Sequence, residues 1–196
     1  MKIGILGGTF NPVHIGHLIL AEEVREKLGL DKIIFVPTAL PPHKDNLNIA
    51  PASDRLKMLK LATSSNKFFA VSDAEIKRHG RSYTIDTVKE FKARYSGDEL
   101  YFIIGSDLLK YLNEWKDLSE ILKMIRFVVA TRPGYPLEDI SAYMASRQKG
   151  VRTLPIRALD ISAFEIRSCI RKEKSFRYFV PERVFNYINQ ERLYRK

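Results

Sequence analysis

Short apolar runs alternate with amphipathic stretches along most of the 196 residues. Residues 2–6 are apolar and end at Gly7-Gly8, which predicts a buried strand. Residues 15–28 follow with helical periodicity. Ile15, Leu18, Ile19, Ala21, Val24 and Leu28 fall mostly on one face, and Gly29 is placed to stop the helix. Residues 32–36 are a second β-rich run. Four prolines and two asparagines in 37–51 predict a long surface loop, after which Ser53 is positioned to cap a helix running to about Ser64. Residues 68–72 read as a third strand, 76–83 as a polar loop, and Thr84 or a neighbour as the start of a helix ending near Ser96-Gly97. Residues 100–104 form a strongly apolar strand ending at Gly105. Short helices are expected over 107–112 and 118–124, then a buried strand over 127–130 closed by Arg132-Pro-Gly134. A helix over 137–148, a strand over 151–156 and helices over 162–172 and 181–194 complete the chain.

This alternation predicts an α/β fold: a Rossmann-like, three-layer α/β/α arrangement around a central parallel sheet. It is read as one domain over 1–196, with a helical C-terminal segment from about 162 to 196. Ligands of such sheets sit beyond the carboxyl ends of the strands. The segments after Leu6, Val36, Ile104 and Ala130 are therefore the expected site-forming loops.

Composition narrows the partners. Lys and Arg number 33 against 23 Asp and Glu, a net charge of +10. That balance attracts anions without choosing among nucleic acid, acidic membrane and phosphorylated small molecules. Basic residues cluster only late, at Arg171, Lys172, Lys174 and Arg177. The single cysteine, Cys169, excludes a disulfide within the chain and a cysteine-rich zinc site, and fits a reducing cytoplasm. The N-terminal apolar run is too brief for a secretion signal. No apolar stretch approaches the ~20 residues that span a membrane.

Chemistry concentrates after the first strand, in Gly7-Gly-Thr-Phe-Asn-Pro-Val-His-Ile-Gly-His17. Glycines there permit a sharp turn and close approach of a phosphate to backbone amides. His14 and His17, three apart, share one face of a helix and fall in its first turn, where N–H groups and the dipole favour an anion. Two imidazoles there can hold a triphosphate and stabilise charge on departing pyrophosphate; a cap or surface pair is the alternative. Neither G-x-G-x-x-G nor Gly-Lys-Ser/Thr is present, so this is neither a dinucleotide fingerprint nor a P-loop. His43 and His79 lie in separate loops, which argues against a histidine metal site.

The string G-T-F-N-P-V-H-I-G-H resembles the T/H-x-G-H motif of the nucleotidyltransferase superfamily. Leu40-Pro-Pro-His-Lys44, Gly80-Arg-Ser-Tyr-Thr-Ile-Asp-Thr87, Phe102-Ile-Ile-Gly-Ser-Asp107 with Trp115, and Thr131-Arg-Pro-Gly-Tyr135 follow in the order found in bacterial nicotinate mononucleotide adenylyltransferases. The resemblance covers essentially the whole chain. It implies transfer of AMP from ATP to nicotinate mononucleotide, with Mg²⁺, giving nicotinate adenine dinucleotide and pyrophosphate in NAD biosynthesis. It also implies that His14 and His17 contact ATP phosphates and that Gly8, Thr9 and Phe10 line the nucleotide cleft. Gly105 and Asp107 are placed beside the ligands, though Asp107 equally suits a helix cap. Lys44 and Arg132 become candidates for holding phosphate.

Two features bear on the acceptor. Tyr83-Thr84 lie where a helix begins, and amides there bind a carboxylate better than an amide. Trp115, the only tryptophan, sits in a polar setting that suits a partly exposed ring, and family members stack it on the pyridine; a core position is the alternative. Near the C-terminus, Asp160-Ile-Ser-Ala-Phe-Glu-Ile-Arg167 matches the family's I-S-S-T-x-I-R. Ser162 and Glu165 form an S-x-x-E capping box, and Ser162 and Arg167 are candidates for the triphosphate. Ala163 and Phe164 replace hydroxyl residues, leaving Phe164 to pack on the nucleotide or the core. Pantetheine-phosphate or nicotinamide-mononucleotide adenylyl transfer, and a nucleic-acid-binding module, are the competing readings. The expected partners are ATP and nicotinate mononucleotide, with neither nucleic acid nor membrane; the sequence does not choose between monomer and homo-oligomer.

Overall fold

The computed structural model describes residues 1–40, 49–78, 80–131, 151–157 and 159–195. Along these the elements are β1 (Lys2–Gly8), α1 (Ile15–Leu28), β2 (Lys32–Pro37), α2 (Ala52–Thr63), β3 (Phe69–Val71), α3 (Ala74–Arg78), α4 (Thr84–Arg94) and β4 (Glu99–Gly105). A 3-10 helix (Ser106–Glu114), α5 (Leu118–Met124), β5 (Arg126–Thr131), β6 (Val151–Pro155), α6 (Ala163–Arg171) and α7 (Glu182–Gln190) follow. The expected strands at 137–148's flanks form; the helix expected over 137–148 and the Arg132-Pro-Gly134 turn lie outside the described residues.

Among the described residues all strand pairs are parallel, in the order β3-β2-β1-β4-β5-β6. The apolar runs are buried on both faces, which is why they show no strict alternation in sequence. Ile3 and Ile5 join Ile34, Val36, Phe102, Ile104, Phe127 and Val129 beneath α4 and α5. Leu6 joins Phe35, Ile103, Val128 and Leu154 beneath α1, α2, α6 and α7. This is the expected three-layer arrangement. Each fully buried aliphatic side chain in it contributes about 1.5–3 kcal/mol of transfer free energy. The strand order reverses between β1 and β4, so a crevice opens beyond their carboxyl ends at Gly8 and Gly105.

Some local expectations change. Pro51, not Ser53, is the N-cap of α2; a proline with fixed φ suits helix entry, and Ser53 falls inside the first turn. Residues 76–78 are helical within α3 rather than loop. The Ser72 hydroxyl accepts the Ala74 N–H at 3.3 Å, and Lys77 pairs with Asp73 at 3.2 Å, so local polar contacts support a helix with little apolar pattern. The last helix ends at Gln190, not Tyr194: Arg192 and Tyr194 take φ of 50° and 65°, and the Leu193 N–H turns back to the Ile188 carbonyl. Gly29 does stop α1, at φ 60°. No helix among the described residues is long and apolar enough to cross a membrane.

Candidate active site

β1 delivers the chain to the crevice at Gly7-Gly8. Phe10 then takes a left-handed φ of 48° and turns its ring inward, 3% exposed. A Cβ on Gly8 would lie 3.0–3.2 Å from three atoms of that ring, so only glycine fits there without moving Phe10. Expected as a cleft lining, the Phe10 ring is instead mostly core: it packs tilted on Phe35 at 5.9 Å and edge-on to His17 at 5.1 Å. It thus supports His17 from beneath.

His14 is the N-cap of α1, with extended φ −139° and ψ 170°, rather than a residue of the first turn. The two rings nevertheless meet, with centroids 3.7 Å apart and planes inclined by 32°. The His14 N–H donates to Nδ1 of His17 at 3.2 Å. An accepting Nδ1 fixes the His17 tautomer, with its proton on Nε2. His14 is 4% exposed and His17 half-buried. No acidic residue occupies the first turn of α1, so the positive end of its dipole is uncompensated by side chains there.

The C-terminal motif docks on this loop. Nη1 of Arg167 donates to the Asn11 carbonyl at 2.7 Å. Its Nε is buried without a hydrogen-bond partner. Burial lowers the Arg167 pKa, offset by the Tyr194 phenol and reinforced by Arg171; a guanidinium stays charged through such a shift. Ser162 caps α6: its Oγ accepts the Glu165 N–H at 3.1 Å and donates to the Glu165 carboxylate at 2.9 Å, while the Ser162 N–H reaches that carboxylate at 3.2 Å. The hydroxyl is thereby committed to the cap, and phosphate would have to displace Glu165. Phe164 is 66% exposed, which excludes the core position. Its ring lies 6.0 Å from the Arg167 guanidinium.

Beyond the end of β2, Leu40 and Arg81 form a parallel bridge. The Ala39 N–H donates to Ser82 Oγ at 2.9 Å and the Ser82 N–H to the Leu40 carbonyl at 3.1 Å. Tyr83 is the N-cap of α4 and Thr84 its first residue. Gly105 ends β4, and Ser106 behind it is buried with no partner for its hydroxyl. Trp115 ends the 3-10 helix, half-buried and edge-on to Phe102 at 6.0 Å and Phe127 at 5.9 Å. Its ring is anchored in the core while part of it remains exposed. Lys44, Arg132 and the side chain of Asp107 lie outside what is described.

The structure therefore places Gly8, Thr9, His14 and His17 along one loop and helix start, docks Arg167 on that loop through the Asn11 carbonyl, and ties Ser82, which precedes Tyr83 and Thr84, to the segment after β2. One residue the sequence reading missed is Arg55, which is 1% exposed and donates to the carbonyls of Thr9, Ala39 and Ala50. The signal was available. Arg55, Met58, Leu59 and Ala62 are spaced as one helix stripe, and all four are buried. A lone cation on an apolar stripe needs internal acceptors.

Residues 5–169 match the family described as cytidylyltransferase-like. The chain is 44% identical over 212 residues to a Geobacter sulfurreducens protein named "Probable nicotinate-nucleotide adenylyltransferase", covering 99% of this chain and 98% of that one. A Desulfitobacterium hafniense protein of the same name is 41% identical over 198 residues, covering 99% and 96%. Among solved structures, the fold is similar to that of a Plasmodium falciparum nicotinic acid mononucleotide adenylyltransferase complexed with NaAD, with a TM-score of 0.83, 19% identity and coverage of 98% and 97%.

Proposed function

From the premise that this chain belongs to the cytidylyltransferase-like family, we propose that it transfers the adenylyl group of ATP to nicotinate mononucleotide. The products are nicotinate adenine dinucleotide and pyrophosphate, in NAD biosynthesis. The observation that carries the proposal is the His14–His17 pair, stacked at the acid-free start of α1 where the sheet order reverses. The full-length likeness to proteins named for this reaction supports the choice of acceptor.

The nucleophile is a phosphate oxygen of the mononucleotide, already ionised at neutral pH. It forms a bond to the α-phosphorus of ATP as the bond from that phosphorus to the bridging oxygen breaks, and pyrophosphate leaves. No general base and no covalent enzyme intermediate are needed. The chain's work is alignment and charge neutralisation. His17, with its proton on Nε2, donates to the triphosphate, and its charge stabilisation grows as pyrophosphate departs. His14 holds the His17 ring by stacking and by its backbone N–H. Arg167 holds the Asn11 carbonyl through Nη1 and supplies its guanidinium charge to phosphate. Gly8, Thr9 and Gly105 line the nucleotide, and Ser162 orients α6 through its cap.

For the acceptor, the α4 N-terminus at Tyr83-Thr84 receives the nicotinate carboxylate, and the exposed part of Trp115 stacks on the pyridine. Lys44, Arg132 and Asp107 are assigned to the same pocket by the sequence motif alone. Among the described residues no three His, Cys, Asp or Glu side chains converge. The donor set thus suits a cation carried by the substrate, and we assign Mg²⁺ to the triphosphate oxygens and water. When bound, such a cation would help neutralise the charge that grows on departing pyrophosphate, beside His17 and Arg167. The single cysteine supports placing the reaction in a reducing cytoplasm.

The test is pyrophosphate release from ATP with nicotinate mononucleotide, nicotinamide mononucleotide and phosphopantetheine side by side. Strong preference for the first is expected; equal or better turnover with either other acceptor would replace this reading.

A further inference from the structure

Arg55 is a buried cation whose charge is met by three carbonyl oxygens. Nη1 donates to Thr9 O at 2.8 Å, Nη2 to Ala39 O at 3.0 Å and Nε to Ala50 O at 3.0 Å. These acceptors belong to different segments: the loop after β1, the segment after β2 and the entry to α2. A guanidinium is a planar fork with fixed N–H directions, so the three peptide groups keep one mutual geometry while it holds them. The contacts continue toward the acceptor side. The Ala39 peptide that accepts from Arg55 donates to Ser82 Oγ at 2.9 Å, and Ser82 N–H donates to Leu40 O at 3.1 Å. The next residue, Tyr83, caps α4. The Thr38 N–H also reaches Gly8 O at 3.0 Å, tying the same two loops a second time.

We propose that Arg55 is a positioning residue that couples the two substrate subsites, so that ordering the Thr9 loop around ATP also orders the start of α4 for the acceptor. This rests on ATP and nicotinate mononucleotide as the substrates. Coupling through a shared anchor is reciprocal: each ligand tightens the other by the same factor. An Arg55→Lys side chain keeps the charge but is a point donor that cannot hold three carbonyls in one plane. It therefore separates the coupling from the charge.

The experiment measures the dissociation constant of nicotinate mononucleotide by calorimetry, with and without an ATP analogue carrying a methylene between its α- and β-phosphorus. The wild-type protein is expected to bind the mononucleotide about fivefold or more tightly with the analogue present. In folded Arg55→Lys that ratio falls to near one. A wild type without the ratio, or a folded Lys variant that retains it, overturns the proposal. A merely structural Arg55 would shift the melting temperature and leave the ratio unchanged. If Arg55→Lys does not fold, hydrogen exchange on the wild type decides: the analogue alone should slow the amides of Ala39 and Ser82 at least about threefold. Unchanged exchange overturns the coupling. That arm needs no acceptor, so failure of nicotinate mononucleotide to bind at all would count against the substrate assignment separately.

Discussion

Gly16→Ala should separate catalysis from stability. Gly16 lies in the first turn of α1, and a Cβ there would stand 3.1 Å from Nδ1 and 3.2 Å from Cε1 of His14. Ordinary contacts begin near 3.4 Å, so the His14 ring must give by a few tenths of an ångström. That ring is 4% exposed and stacked 3.7 Å from His17, so the shift passes to His17. A 1 Å misplacement of a reacting group costs on the order of 10²-fold in rate, so a few tenths should lower kcat roughly fivefold. Stability moves little or the other way. Alanine at a helical glycine contributes about 0.4–1 kcal/mol through the unfolded chain, which offsets the local crowding. For a protein of this size that keeps Tm within about 4 °C of wild type. The assay pairs steady-state pyrophosphate release with thermal melting. Undiminished kcat would refute the claim that the ring pair is held in a catalytic register. A Tm drop well beyond that window would refute the claim that the perturbation is local.

Three further outcomes follow from the site. His17→Ala should lower kcat by roughly 10²–10³-fold, the scale of losing one donor to developing charge, with a near-wild-type melting temperature; normal turnover in that variant would remove His17 from the mechanism. Titration with nicotinate mononucleotide should quench the emission of Trp115, the only tryptophan, while ATP alone should not; an unchanged spectrum would take the ring out of the acceptor pocket. Burial raises the Glu75 carboxyl above its ordinary 4.5, against the opposing pull of the Thr87 and Ser82 hydroxyls and Arg78. Between the unfolded and the raised folded pKa the native state binds more protons, so stability falls as pH rises through that window. Glu75→Gln, which still accepts from Thr87, should flatten the dependence of Tm on pH and raise Tm at neutral pH; a variant that tracks wild type at every pH would contradict this.

How much was legible in the sequence depended on whether the signal was local. The strands could be read because a parallel sheet buried on both faces demands continuous apolar runs, as at Ile3–Leu6's counterparts in β4 and β5. The Ser162–Glu165 box and Gly29 could be read because caps are made within a few residues. Contacts distant in sequence could not. The Phe10 ring faces inward because its backbone takes φ 48°, which no composition rule announces. The burial of Arg55 could be read from the stripe it shares with Met58, Leu59 and Ala62, but its acceptors, up to 46 residues away, could not. The capping role of His14 differs from the first-turn position its spacing implied, yet the spacing did place its ring on His17. Ser162 shows the limit of motif reading: the same hydroxyl suits phosphate and cap, and the geometry commits it to the cap.

The most direct test follows the label of the transferred group. With ATP carrying ³²P at the α-position and nicotinate mononucleotide as acceptor, the account predicts all transferred label in a dinucleotide that co-migrates with nicotinate adenine dinucleotide, with unlabelled pyrophosphate formed in equal amount. Label released as free AMP would contradict transfer to the mononucleotide, and transfer seen only from γ-labelled ATP would contradict attack at the α-phosphorus.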